Sequence, residues 1–73
     1  MAKKTESSTY KMIELVGTSK VSYEDAISTA IADASQTLDG LDWFQVIEMR
    51  GAIKGGKVAQ YQAVLKVGFK VLR

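Results

Sequence analysis

The sequence predicts an α+β fold, β-α-β-β in order, with a three-stranded antiparallel sheet in the order 1-3-2 and one helix packed on one face. Three observations carry this. Apolar residues recur three and four positions apart from Tyr23 to Leu38, a Gly-Gly pair divides the C-terminal half into two β-rich runs, and one short β-rich segment precedes the helix. A helical crossover between the first two strands makes them parallel if they share a sheet, and the third strand then fits between them.

The first strand is expected over Tyr10 to Val16, with Ile13, Leu15 and Val16 as its apolar residues and Gly17-Thr18-Ser19 as the turn that ends it. The helix places Tyr23, Ala26, Ile27, Ala30, Ile31, Ala34 and Leu38 on one face. Ser22 is the natural cap for its free amides, Glu24 and Asp25 sit near its positive end, and Gly40 marks its stop. Its alanines leave a narrow stripe that lets a sheet approach closely.

The second strand runs from Leu41 to Lys54 and the third from Val58 to about Leu72, joined by Gly55-Gly56, a pair able to take the positive φ values of a two-residue turn. The third strand alternates: Ala59, Tyr61, Ala63, Leu65, Val67, Phe69 and Val71 point to the helix, and Gln60, Gln62, Lys66 and Lys70 point away. Counting outward from a Lys54/Lys57 pair puts Phe44, Val46, Glu48 and Arg50 on the helix side. The other face then carries Trp43, Gln45, Ile47 and Met49 beside Gln60, Gln62, Val64 and Lys66, with Gln62 opposite Met49. One helix cannot cover that face, so Trp43, Ile47, Met49 and Val64 need another subunit or a ligand against them. An offset of one residue would turn Trp43 over.

Composition narrows the function. With 73 residues, the chain is one domain near the lower size limit for a self-sufficient core. It has no cysteine and no histidine, which removes disulfides, the common zinc sites, Cys/His nucleophile pairs and Ser-His-Asp triads. Self-association is the remaining aid to stability, and no enzymatic activity is expected. Ten Lys and Arg are interspersed with eight acids for a net charge of +2, a scatter unlike a nucleic-acid footprint. No apolar run approaches the roughly 20 residues of a membrane span. Residues 1–9 (MAKKTESST) lack the apolar core of a signal peptide and are expected to be a mobile tail ahead of a single domain over 10–73. The expected location is the cytoplasm.

Three segments then carry a family likeness: Tyr10 to Ser19 (YKMIELVGTS), Asp42 to Gly51 (DWFQVIEMRG) and Tyr61 to Lys70 (YQAVLKVGFK). Together, with their spacing and the GTS ahead of an alanine-rich helix, they resemble the dodecin family from about Tyr10 to the C-terminus. The resemblance implies a hollow homododecamer built from trimers, which stores flavin by binding ring pairs between symmetry-related tryptophans at subunit interfaces. Trp43 matches the stacking tryptophan, and indole beside an excited flavin quenches its fluorescence and photochemistry. Gln62 matches the glutamine that hydrogen-bonds the ring's polar edge. Arg50 matches a basic position of bacterial members that favour FMN, where a phosphate suits an arginine. Riboflavin and FAD carry the same ring. Lys11 and Lys70 stand where relatives carry bases near flavin or phosphate, Glu48 aligns with an acid that meets the ribityl chain, and Gln45 stands where glutamate is common. In the expected register Trp43 and Gln62 lie about six residues apart, roughly 20 Å along a strand, so a ring touching both must do so across two subunits. Coenzyme A, linked in some relatives to a basic helix end, is disfavoured here by Asp33, Ser35, Gln36 and Asp39.

Two other classes compete with this reading. The open face could serve an oligomeric adaptor for protein or single-stranded nucleic acid, with Trp43 and Lys66 as the stacking and charged groups. A small lyase or isomerase would need Glu48 or another carboxylate at a subunit interface, and would reveal itself by turnover of a carbonyl substrate.

Overall fold

The computed structural model describes residues 7–71. The elements are β1 (Tyr10–Ser19), α1 (Tyr23–Ala34), β2 (Leu41–Lys54) and β3 (Lys57–Lys70). They form one sheet in the order β1-β3-β2, with β3 antiparallel to both neighbours. The expected fold class and topology are the observed ones. Of residues 1–9, the first six lie outside the described residues. Thr9 accepts the Val71 N–H through its carbonyl at 2.9 Å.

β1 does not stop at Val16 but continues through Gly17-Thr18-Ser19. Gly17 serves close approach instead of a turn. A Cβ there would overlap the Ala26 carbonyl oxygen and the Ala30 side chain, because the helix crosses the strand at this point on its buried stripe of Ala26, Ala30 and Ala34. The chain reverses just after, around Ser19. Its hydroxyl oxygen accepts the N–H groups of Val21 (2.8 Å) and Ser22 (3.3 Å) and donates to Asp25 (2.7 Å). Ser22 caps α1 as expected, accepting the Asp25 N–H at 3.0 Å.

The helix ends at Ala34, short of Leu38. Ser35, Gln36 and Thr37 continue as tighter turns, with Gln36 N–H on the Asp33 carbonyl and Thr37 N–H on the Ala34 carbonyl, both at 3.2 Å. The Ser35 hydroxyl draws on the Ala32 carbonyl (2.9 Å), the local competition that makes serine a weak helix former. Gly40 does adopt a positive φ of 77°, but at the entry to β2. Gly55 and Gly56 (φ 60° and 75°) make the expected two-residue turn.

The core is small. Ala26, Ala30, Ala63, Leu65 and Val67 are buried, and Ile13, Leu15, Ile27, Ile31 and Leu41 pack against them. Leu65 and Val67 are the largest fully buried side chains, each contributing about 1.5 to 3 kcal/mol relative to exposure. α1 lies over β1 and β3, and Tyr23 at its start meets Tyr61 edge-on at 5.0 Å. β2 lies beyond the helix, so Phe44 and Met49 are exposed on the helix side too.

The β2/β3 register corrects the simple count in its middle. Trp43 pairs with Gly68, Phe44 with Val67, Gln45 with Lys66 and Val46 with Leu65, as counting from the turn implies. Between Glu48 and Ala52 the pairing is displaced by one, with shifts at Ala52/Ile53 and Val46/Glu48. Gln62 therefore faces Arg50, not Met49, and Met49 shares the helix side with Ala63. Glu48 and Arg50, expected under the helix, stand on the open face. The cause is an extra residue on β3 at Ala59, offset by one on β2 at Ile47, with alternation reversed between them. A further unpaired residue, Asp42, lets Leu41 reach the core side while Trp43 stays on the open face.

Candidate functional site

The open face of the sheet collects most of the residues singled out from sequence. Trp43, Gln45, Glu48 and Arg50 of β2 lie there with Gln60, Gln62, Lys66 and Lys70 of β3, because the β3 residues alternate with the buried set Ala63, Leu65 and Val67 and the β2 residues pair with β3 positions that do. β1 adds Tyr10, Glu14 and Thr18, opposite Lys70, Lys66 and Gln62. Lys11 does not join them. It pairs with Phe69 and shares the side of Ile13 and Leu15.

Trp43 is 41% exposed, and the six-membered part of its indole lies over Gly68, where a Cβ would overlap Cε2, Cζ2 and Cη2. Glycine is thus the seat of the ring. Tyr10 flanks it from β1, with ring centroids 6.3 Å apart at 44°, and its hydroxyl donates to Asp42 Oδ2 at 2.8 Å across β3. That hydrogen bond, then partial burial and the carboxylate's charge, hold the Tyr10 phenol pKa above its ordinary value of 10.0. Two β2 neighbours, Asp42 and Trp43, are therefore tied to β1 by one phenol.

The polar end of the face lies six positions along β3 from Gly68, roughly 20 Å at strand spacing. There Gln62 stands between Thr18 and Arg50 and donates through Nε2 to Gln60 Oε1 at 2.8 Å. Arg50 and Glu48 approach to 3.5 Å with both side chains about half exposed, an ion pair of little energetic weight that leaves the guanidinium available. Within one chain the indole and the Gln62 amide cannot meet one flat ligand.

A concavity of about 110 Å³ is lined by Ile31, Leu41, Asp42, Trp43, Phe44 and Val67. It is smaller than a typical cofactor pocket and holds none of Gln62, Arg50 or Lys70. The larger surface is the flat open face. Gly68, Tyr10, Asp42 and Gln60 were not singled out from sequence. A glycine within a bulky alternating strand is the signal that would have found Gly68, whereas the Tyr10–Asp42 bond joins residues 32 positions apart and has no local signature.

A family model for dodecin matches residues 9–72, nearly the whole described domain. The chain belongs to the dodecin family. Dodecin of Thermus thermophilus is 53% identical over 62 residues, covering 85% of this chain and 90% of that protein. Calcium dodecin of Mycobacterium tuberculosis is 34% identical over 64 residues, covering 88% and 90%. The solved structure of dodecin from Streptomyces coelicolor superposes with a TM-score of 0.88 at 42% identity, covering all of this chain and 99% of that one. Among the described residues of this family member, no group of three or more Asp, Glu, His or Cys is arranged to hold a metal ion, and no helix is long and apolar enough to cross a membrane.

Proposed function

We propose that the chain is a non-catalytic flavin-binding protein of the cytoplasm, which stores and quenches flavin in a homododecamer built from trimers. The observation that carries this is the seat of Trp43: a half-exposed indole laid on Gly68, on a face that also bears Gln62 and Arg50 and that no element of the same chain covers. Beyond Leu41, most of β2 is exposed on both sides, which fits a subunit that finishes its packing against copies of itself.

The residues suit the ligand. Indole offers a large flat surface at small entropic cost, and a bound flavin supplies an electron-poor, light-absorbing ring. Trp43 would hold such a ring by stacking, and its indole would lend an electron to the excited ring and recover it, a route to quenching that needs no acid, base or nucleophile. Gln62 offers donor and acceptor to the ring's polar edge from a second subunit, because it lies too far from its own Trp43. Arg50 presents a guanidinium suited to the FMN phosphate, with Lys70 on the same face as a further cation. Glu48 and Gln45 border the path between ring and phosphate. Lys11, on the other side of β1, takes part only if assembly brings it to a neighbour's site. The acidic stretch Asp33 to Asp39 argues against coenzyme A at the helix end.

Titrating FMN into the purified protein, with emission read alongside elution from a sizing column, tests the proposal. Strong quenching and a particle many times the 8.0 kDa chain mass are expected. Trp43→Ala should restore emission from any flavin still bound and weaken binding by about ten-fold or more, the scale of a lost aromatic stack. Full emission with the wild-type chain, or elution as a monomer, would refute the reading. The adaptor alternative would instead show salt-sensitive binding of single strands without quenching.

A further inference from the structure

We propose that Gln60 sets the direction of the Gln62 amide, and so fixes which hydrogen-bonding order this face offers to a ring with an imide edge, an N–H flanked by carbonyls. The inference rests on the flavin reading and names a specificity-determining residue within it. Gln60 and Gln62 are two apart on β3, so both side chains rise on the open face. Both are half-buried, and Gln62 Nε2 donates to Gln60 Oε1 at 2.8 Å.

A primary amide has two N–H donors and one carbonyl acceptor. With one N–H held by Gln60, the Gln62 nitrogen is drawn toward the hairpin turn and its carbonyl is turned the other way. What remains free is the carbonyl and the second N–H, side by side. That pair is complementary to an imide N–H and the carbonyl next to it. Reversing the amide would present the same two groups in the opposite order. Nothing else holds it: among the described residues, Gln60 is the one side chain hydrogen-bonded to Gln62. Arg50, directly opposite, is a donor only and makes no hydrogen bond to Gln62. Ala52, opposite Gln60, is too short to compete for the Gln60 amide.

In the order seen here Gln60 accepts, and an orienting group of fixed character separates three substitutions. Glutamate accepts only and should keep the amide as it is; lysine donates only and should turn it round; leucine leaves it free. Riboflavin is the probe, because it has no phosphate whose charge would respond to the new side chain. In quenching titrations of the assembled full-length protein, Gln60→Glu is expected to bind within about two-fold of wild type. Gln60→Lys should bind about five- to ten-fold more weakly, the scale of one misdirected neutral hydrogen bond, and Gln60→Leu, whose Gln62 amide is free to turn, about two- to four-fold more weakly. In a Gln62→Leu background, Gln60→Lys should add no further loss. Equal binding by the glutamate and lysine variants, or losses at 60 and 62 that multiply, would overturn the role of Gln60 while leaving the flavin reading in place. A wild-type protein that does not quench riboflavin would overturn both.

Discussion

Gly68→Ala should displace Trp43 without disturbing the strand beneath it. Gly68 is not among the glycines with positive φ, so its backbone accepts alanine, and the smaller entropy of the unfolded chain should then favour the folded state by about 0.4 to 1 kcal/mol. The new methyl group would overlap three indole atoms. To reach an ordinary carbon–carbon contact of about 3.5 Å the ring must move by roughly 1 Å. It can do so because Trp43 is on the exposed side, so the ring yields before the backbone. Each atom pair lost costs only about 0.1 to 0.2 kcal/mol, and a handful of them cancels the entropic gain. Net stability should change little, while Trp43 emission shifts to the red and flavin binds about two- to four-fold more weakly, a part of the loss expected when the ring is removed. A thermodynamic cycle separates the two contributions: in a Trp43→Ala background, Gly68→Ala should be stabilising by the full entropic amount. Equal stabilisation in both backgrounds, with unaltered indole emission, would show that the ring does not rest on Gly68.

Tyr10→Phe keeps the ring beside Trp43 and removes its tie to Asp42. Because the folded-state phenol pKa lies above its unfolded value of 10.0, the stability linked to it is fully present below that pH and is lost as pH rises through the folded value; urea melts at rising alkaline pH should show this decline in wild type beyond that in Tyr10→Phe, and identical declines would refute it. Gly17→Ala forces a methyl group into the Ala26 carbonyl and Ala30. It should cost about 1 to 3 kcal/mol as an overpacked contact, read as a lower denaturation midpoint, and an unchanged midpoint would mean that α1 is not seated on Gly17.

The fold was legible because its signals are local. Helix periodicity, the Ser22 cap and the Gly55-Gly56 turn each lie within a few residues and need no tertiary information. The helix end was misplaced because Leu38 keeps the apolar spacing while Ser35 and Thr37 weaken the backbone ladder beneath it. Gly17 was misread because a glycine at a turn and a glycine under a crossing helix look alike in sequence. The faces of β2 were half legible. Trp43 and Gln45 fall where simple alternation puts them, but Glu48, Met49 and Arg50 do not, since neither Ala59 nor Ile47 has a composition that announces an extra residue. Residue roles came from family likeness, and the fine positioning by Tyr10, Asp42 and Gln60 depends on contacts between side chains that no spacing rule supplies.

Trp43 and Arg50 are seven positions apart, an odd number. In a regular strand, parity alone would send the aromatic ring and the guanidinium to opposite sides of the sheet. The single unpaired residue at Ile47 makes the interval effectively even. Stacking and charge are thus united on one surface by counting, whatever the chemistry of the residue that supplies the count. Deleting Ile47 would leave every proposed ligand-binding side chain in the chain, yet force a choice between presenting the ring and presenting the charge.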